Sequence, residues 1–224
     1  MTKTGGSTPG SDRYARMRSH DCDRIHHASL EILERVGVDV HDSQARDLLV
    51  KGGARADGVR LRVPEQMVAA ALAHAPKCLT LFDRYGKVAI QAAGHRAYFG
   101  GGSDCLHVLD HRTGGRRRAV LQDVREAVRL MDGLPEIEFV MSMFLPEDTD
   151  PRIYDRYQME VMLNHTTKPI IFVSPDIQGC VAAVEMCEIV AGGAEAFRKR
   201  PSATCYINVT SGLVANAEAC LLYT

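Results

Sequence analysis

Small polar residues recur at one phase of the chain: Ser142 near the end of "IEFVMS", Ser174 closing "IIFVS", and Asn208, Thr210 and Ser211 in "CYINVTSG". The glycine-rich stretch "FGGGSD" adds Gly101, Gly102 and Asp104. Hydroxyls and amides position a ligand by hydrogen bonds, and a carboxylate attracts a cation or an amide. Consecutive glycines let the backbone approach a ligand closely or adopt positive φ. The stretch reads as a loop, without the GK[ST] ending of a phosphate loop or the GxGxxG–helix pattern of a dinucleotide site. Gly101, Gly102, Asp104, Ser142, Ser174, Asn208 and Thr210 are therefore the candidate substrate-binding residues. The set suits positioning and holds no evident nucleophile, so no catalytic residue is assigned. Turn chemistry competes with this reading, since Ser, Thr and Asn favour turns and Asp104 can cap one locally. Recurrence at three successive strand ends sets the site reading beside it.

Metal chemistry is weaker. Cys105, His107 and His111 would share one face of a strand, but Leu106 and Val108 on the other face make ordinary amphipathic alternation. His20, Cys22, His26 and His27 crowd a helix start, and His165 precedes a strand at its N-terminal side, where α/β barrels place stability and not catalysis. No metal is assigned.

The elements that must carry the polar residues follow from periodicity. "LQDVREAVRLMDGL" is a helix with Leu121, Val124, Val128 and Met131 inward; "YDRYQMEVMLNH" and "IQGCVAAVEMCEIVAGG" are two more. "IEFVMSMF", "KPIIFVS" and "ATCYINV" are nearly all-apolar strands starting near 137, 168 and 203. That spacing is the period of a βα unit, which predicts parallel, adjacent strands with ligand chemistry at their C-terminal ends. Ahead of them lie a flexible tail over 1–13 and mixed α and β elements over 14–120. In that part Ile25, Ser29, Ile32, Leu33 and Val36 predict a buried helix face. Pro64 predicts a helix start at its first position, and "HRTG", flanked by "RAYFGGGSDCLHVLD" and "GGRRRAV", predicts a β-hairpin. Residues 121–224 form the βα part, ending in a predicted helix from Leu213 that the chain leaves uncapped. Counting units against the eight of a barrel gives the fold expectation: α/β, the N-terminal part of a TIM (β/α)8 barrel with extra N-terminal helices and a hairpin, incomplete and cut within a helix.

Composition narrows the function. A net charge of −1, from 27 basic and 28 acidic residues, argues against a nucleic-acid binder. The arginine run Arg116–Arg118 reads first as a solvated hairpin face, with partner or phosphate binding behind it. Seven cysteines without a CxxC pair fit reduced, buried thiols in the cytoplasm. The N-terminus has no apolar signal region, and no apolar run is long enough to span a membrane. An incomplete barrel exposes a strand edge, which predicts self-association, so a homo-oligomer is among the expected partners.

The ordered series "SLEILERVGVDVHD", "AYFGGGSDCLHVLDHRTGGRRRA", "IEFVMSMFLPEDTDP", "LNHTTKPIIFVS" and "CYINVTSGL" resembles the trimethylamine methyltransferase family over nearly the whole chain after Tyr14. The resemblance implies a TIM barrel about twice this length. It implies transfer of a methyl group from a methylated amine to the Co(I) corrinoid (cobalamin) of a separate small protein, with no cofactor bound by this chain itself. The substrate would be trimethylamine or a quaternary amine such as glycine betaine. The family's pyrrolysine, where present, would fall beyond Thr224. A methylammonium group suits a carboxylate and aromatic faces, which makes Tyr98, Phe99, Phe139, Phe144, Phe172 and Tyr206 further candidates, with core packing as the competing role. The 224-residue chain alone is expected to be inactive. Two other functions stand beside this one: a truncated remnant acting only by protein association, and an unrelated TIM-barrel enzyme. Neither paired carboxylates, a strand-end lysine nor HExxH supports the latter.

Overall fold

In the computed structural model, which describes residues 17–207 and 212–215, the chain forms two packed units, one of residues 17–77 with 212–215 and one of residues 78–207. The first holds α1 (Ser19–Glu31), β1 (Val38–Val40), α2 (Ser43–Lys51), β2 (Arg55–Asp57), β3 (Arg60–Arg62) and α3 (Glu65–His74). Asp42 caps α2 by accepting the Ala45 N–H at 2.7 Å. Pro64 caps α3 from just outside the helix, one residue earlier than the sequence suggests. The expected buried face of α1 is not found: Ile25, Ile32 and Val36 are exposed and Leu30 is the buried residue. The helix widens into a π-turn over Ile32–Val36, which rotates the apolar residues off a 3.6-residue stripe. Val40, Ala45 and Leu61 make this unit's small core.

The second unit holds β4 (Leu79–Phe82), β5 (Val88–Ala92), β6 (His107–Leu109), β7 (Arg116–Arg118), α4 (Leu121–Gly133), α5 (Tyr154–His165), β8 (Ile170–Phe172), α6 (Ile177–Ala191), α7 (Ala194–Lys199) and β9 (Ala203–Cys205). Its spine is a run of parallel extended segments in chain order. Segment 99–105 lies beside 138–145 through the bridges Gly100↔Phe139 and Cys105↔Phe144. Val140 then pairs with Ile170, and β8 pairs with β9 from Ile170↔Ala203 to Phe172↔Cys205. The three strands expected from periodicity are thus parallel and adjacent, and "FGGGSD", expected as a loop, is a fourth member of the array. α4, α5, α6 and α7 pack in succession. Val124, Val128 and Met131 of α4, Met159 and Met162 of α5, and Ala183 and Cys187 of α6 form one core with Val140, Ile170, Phe172 and Ala203. Val124, Val128 and Met131 of α4 are buried as their spacing predicts, and the shared core is what orients the strand ends.

The N-terminal ends of β8 and β9 are tied by the β4–β5 hairpin. Phe82 N–H donates to Pro201 O at 2.9 Å, and Arg84 donates from its backbone to Thr167 O at 2.9 Å and from its guanidinium to Leu163 O. Asp132 at the end of α4 accepts the Thr166 hydroxyl at 2.7 Å and the Thr167 N–H at 3.0 Å. Lys168 Nζ donates to the Met131 and Leu134 carbonyls at 2.7 and 2.6 Å, closing the α4 C-terminus. His165 Nδ1 bonds Val161 O at 2.9 Å within its own helix.

β10 (Val214–Ala215) belongs to the first unit, where it pairs in parallel with β1. The helix predicted from Leu213 is therefore not formed at Val214 and Ala215: pairing with a strand far away in sequence overrides local helix propensity. The rest of that predicted helix lies outside the described residues. Among the described residues no sheet closes into a barrel and no helix is long and apolar enough to cross a membrane. The thiols are not uniformly buried as expected: Cys22, Cys78 and Cys105 are exposed, while burial pushes Cys187 and Cys205 up to about 12.

Candidate functional site

The C-terminal ends of the parallel segments gather a polar cluster around Tyr154, the first residue of α5. Burial raises the Tyr154 phenol, and the negative charges of Asp104, Asp155 and Asp176 raise it further. Asp104 lies just past the glycines of the first segment, Asp155 in the first turn of α5, and Asp176 at the N-cap of α6. The Ser174 hydroxyl, at the end of β8, donates to Asp155 Oδ2 at 2.9 Å and also lies 2.8 Å from Asp176 O. Asp176 Oδ1 accepts the Gly179 N–H at 2.6 Å, the ordinary act of an N-cap. Arg156 lies between the two carboxylates, 3.4 Å from Asp155 and 3.7 Å from Asp176. Gln158 Nε2 donates to Phe144 O at 2.7 Å, fixing α5 to the end of 138–145.

Gly179 is the residue that lets this cluster close. A Cβ there would stand 2.0 Å from Asp155 Oδ2 and 2.4 Å from Ser174 Oγ, so only glycine admits the buried carboxylate against the first turn of α6.

Two non-glycine residues at these ends take left-handed backbone: Asp104 at φ 61° and Met143 at φ 63°. They face each other across the first pair of segments, where Met143 N–H donates to Gly102 O at 2.8 Å and Cys105 N–H to Met143 O at 3.1 Å. Left-handed backbone costs an L-residue about 1–2 kcal/mol, less for Asp than for Met.

The predicted site residues divide accordingly. Asp104 and Ser174 join the cluster. Ser142 is buried near the end of 138–145, with its carbonyl 2.7 Å from the Phe144 N–H. Gly101 faces the helices, where a Cβ would meet Met131 Sδ at 2.5 Å, and Gly102 serves through its carbonyl. Asn208 and Thr210 lie outside the described residues. Of the aromatic candidates, Phe172 is core and Tyr98 is bound through its hydroxyl to the Gln91 backbone. The Phe139 ring sits where a Cβ on Gly100 would be, and Phe99 and Tyr206 are exposed.

Sequence reasoning missed Tyr154, Asp155, Arg156 and Asp176 because it stopped at the strand ends. The signals were the acidic and basic residues of "EDTDPRIYDRY" after one strand and the N-cap pattern "SPDIQG" after the next. Among the described residues no group of three His, Cys, Asp or Glu side chains gathers as metal ligands. His107 Nδ1 instead accepts from Arg116 at 3.1 Å.

A parallel α/β array with polar strand ends is the frame of many enzymes, and here the sequence narrows it to one family. The family model for trimethylamine methyltransferase (MTTB) matches residues 7–221, and the chain belongs to that family. Among the similar proteins are the trimethylamine methyltransferase MttB of Desulfitobacterium hafniense, 29% identical over 191 residues covering 84% of this chain and 38% of the relative. The glycine betaine methyltransferase of a second D. hafniense strain is 22% identical, covering 88% and 41%. MttB2 of Methanosarcina mazei is 26% identical, covering 88% and 41%. The chain spans about two fifths of the length of these curated relatives.

Proposed function

We propose that the protein carrying this chain moves a methyl group from a methylated amine to the corrinoid of a separate protein in the cytoplasm. We further propose that segments 99–105 and 138–145 with β8 and β9 are the opening strands of its TIM barrel. Consecutive parallel order without reversal, with helices packed in succession, supports the barrel reading. The observation that carries the functional reading is the acidic and phenolic cluster of Asp104, Tyr154, Asp155 and Asp176 at the strand ends, in a chain of this family.

A methylammonium ion fits such a cluster: carboxylates balance its charge, and its methyl groups need apolar and aromatic walls in place of donors. Asp104, exposed at its strand end, is the carboxylate assigned to face the amine. Asp155, buried and bonded by Ser174 and Arg156, is assigned to hold the rim in place. The corrinoid supplies the strong nucleophile that accepts the methyl group, and no residue of this chain is assigned to hold it. What these residues contribute is orientation of the N–CH3 bond and exclusion of water. A quaternary amine departs as a neutral amine and asks no proton from them.

The test mixes the whole protein with a reduced corrinoid protein and trimethylamine, glycine betaine, carnitine or proline betaine, following the corrinoid's visible spectrum. Methylation with one amine, dependent on the protein, is expected. Silence with all four, while a control methyltransferase works, would sink the reading.

A further inference from the structure

The β6–β7 hairpin leaves the array within two residues of Cys105, so it rises beside the strand ends that hold Asp104. Its return leg is fixed to the same end, with Glu147 N–H donating to Ala119 O at 2.9 Å. Its two faces differ. Arg117 turns toward α4 and is paired there: it makes two 2.7 Å bonds to the Asp123 carboxylate and a 3.2 Å bond to Asp110. The cross-strand pairs His107↔Arg118 and Leu109↔Arg116 make the other face. There Leu109 is 70% exposed, and Arg116 and Arg118 are exposed beside it. Arg112 stands in the exposed turn. Glu147 lies 3.9 Å from Arg118, and in the turn the Asp110 carboxylate accepts the Arg112 N–H at 2.9 Å. Partial desolvation and the neighbouring Arg116 and Arg118 lower His107, so at neutral pH its ring adds no charge. An exposed leucine on one hairpin face with Arg116 and Arg118 is a surface for an acidic partner with an apolar centre.

We infer that this outward hairpin face, centred on Leu109, Arg116 and Arg118, is a docking surface for an acidic patch of the protein that brings the methyl acceptor to the strand ends. The inference rests on the proposed function for the partner's identity and on the hairpin alone for the place. Charge complementarity favours an acidic protein over a second copy, because a second copy would set arginine against arginine. Position does the rest: the acceptor must reach the amine from the open side of the strand ends, and the hairpin stands at that rim.

The experiment measures binding of the whole protein to the corrinoid protein by calorimetry, and separately measures turnover, for wild type, R116E/R118E, R116K/R118K and L109A. Steered rim contacts predict that R116E/R118E weakens binding by about tenfold at low salt, with the difference shrinking as salt is added. R116K/R118K should stay near wild type, L109A should weaken binding with little salt dependence, and the amine KM should not move. Unchanged binding in R116E/R118E overturns the inference, as does a wild type that does not bind. A change confined to turnover at saturating partner, or loss of a homodimer with partner binding intact, also overturns it. Arginine-dependent binding without methyl transfer would leave the docking surface standing and remove the proposed function. Methyl transfer indifferent to the arginines would do the reverse.

Discussion

Asp155 and Gly179 illustrate how much of the candidate site rests on a single missing methyl group. Asp155 is buried and its carboxylate is met by Ser174 and Arg156, so each partner removed leaves a polar group short of a bond. Gly179→Ala places a Cβ inside Asp155 Oδ2 and is expected to destabilise the protein by about 1–3 kcal/mol, read as a lower thermal midpoint. Gly102→Ala has open space and should cost much less. Asp104 behaves differently because it is exposed and, among the described residues, its carboxylate is bonded only by the neighbouring Ser103 hydroxyl at 3.2 Å. Asp104→Asn should leave folding intact and weaken amine binding by about 1–3 kcal/mol if the carboxylate faces the cation in a water-poor pocket. An unchanged amine KM would return Asp104 to the role of a turn residue. The sequence made Asp104 and Ser174 visible because they close obvious strands. It hid Asp155 and Arg156 because their importance comes from the fold bringing the first turn of α5 against β8, which no local pattern encodes.

At the scale of elements, the join between the hairpin and α4 depends on charge. Asp123 is buried, and its carboxyl is held below the ordinary 3.8 chiefly by its bonds to Arg117, with help from the Val120 N–H at 2.8 Å. A folded-state pKa below the unfolded one contributes stability that is present above the unfolded value and is lost as pH falls through the folded one. The join should therefore hold at neutral pH and weaken in acid below about pH 4. Unfolding midpoints between pH 7 and pH 3 test this: wild type should lose more stability than Asp123→Asn, and parallel curves for the two would contradict it. Asp132→Ala, at the opposite end of the strands, should cost about 1–3 kcal/mol at pH 7 by orphaning Thr166 and Thr167, with no effect on amine KM. Helix α4 was legible because its apolar spacing is strong, and α5 and α6 because their helix-forming runs are long. Segment 99–105 was not: three glycines carry no strand propensity, and only the finished array shows that Gly100 and Gly101 are small to admit Phe139 and Met131. The short α7 went unread, and β10 was misread, because six residues and two residues respectively carry too little pattern to outweigh distant pairing.

For the molecule as a whole, parallel segments follow one another in chain order, and the two ends of that array differ in kind. The N-terminal end is closed by backbone and side-chain bonds among Arg84, Asp132, Thr166, Thr167 and Lys168. The C-terminal end carries left-handed residues, carboxylates and a phenol. That asymmetry is the one α/β enzymes use, with stability at one face and chemistry at the other. The most direct test is a crystal structure of the whole protein with a methylated amine bound. The account predicts the ammonium group at the C-terminal ends of these strands, with Asp104 and Tyr154 on its walls and the strands continuing in parallel order around it. An amine bound at the N-terminal ends near Thr166, or a sheet that reverses direction after β9, would contradict it.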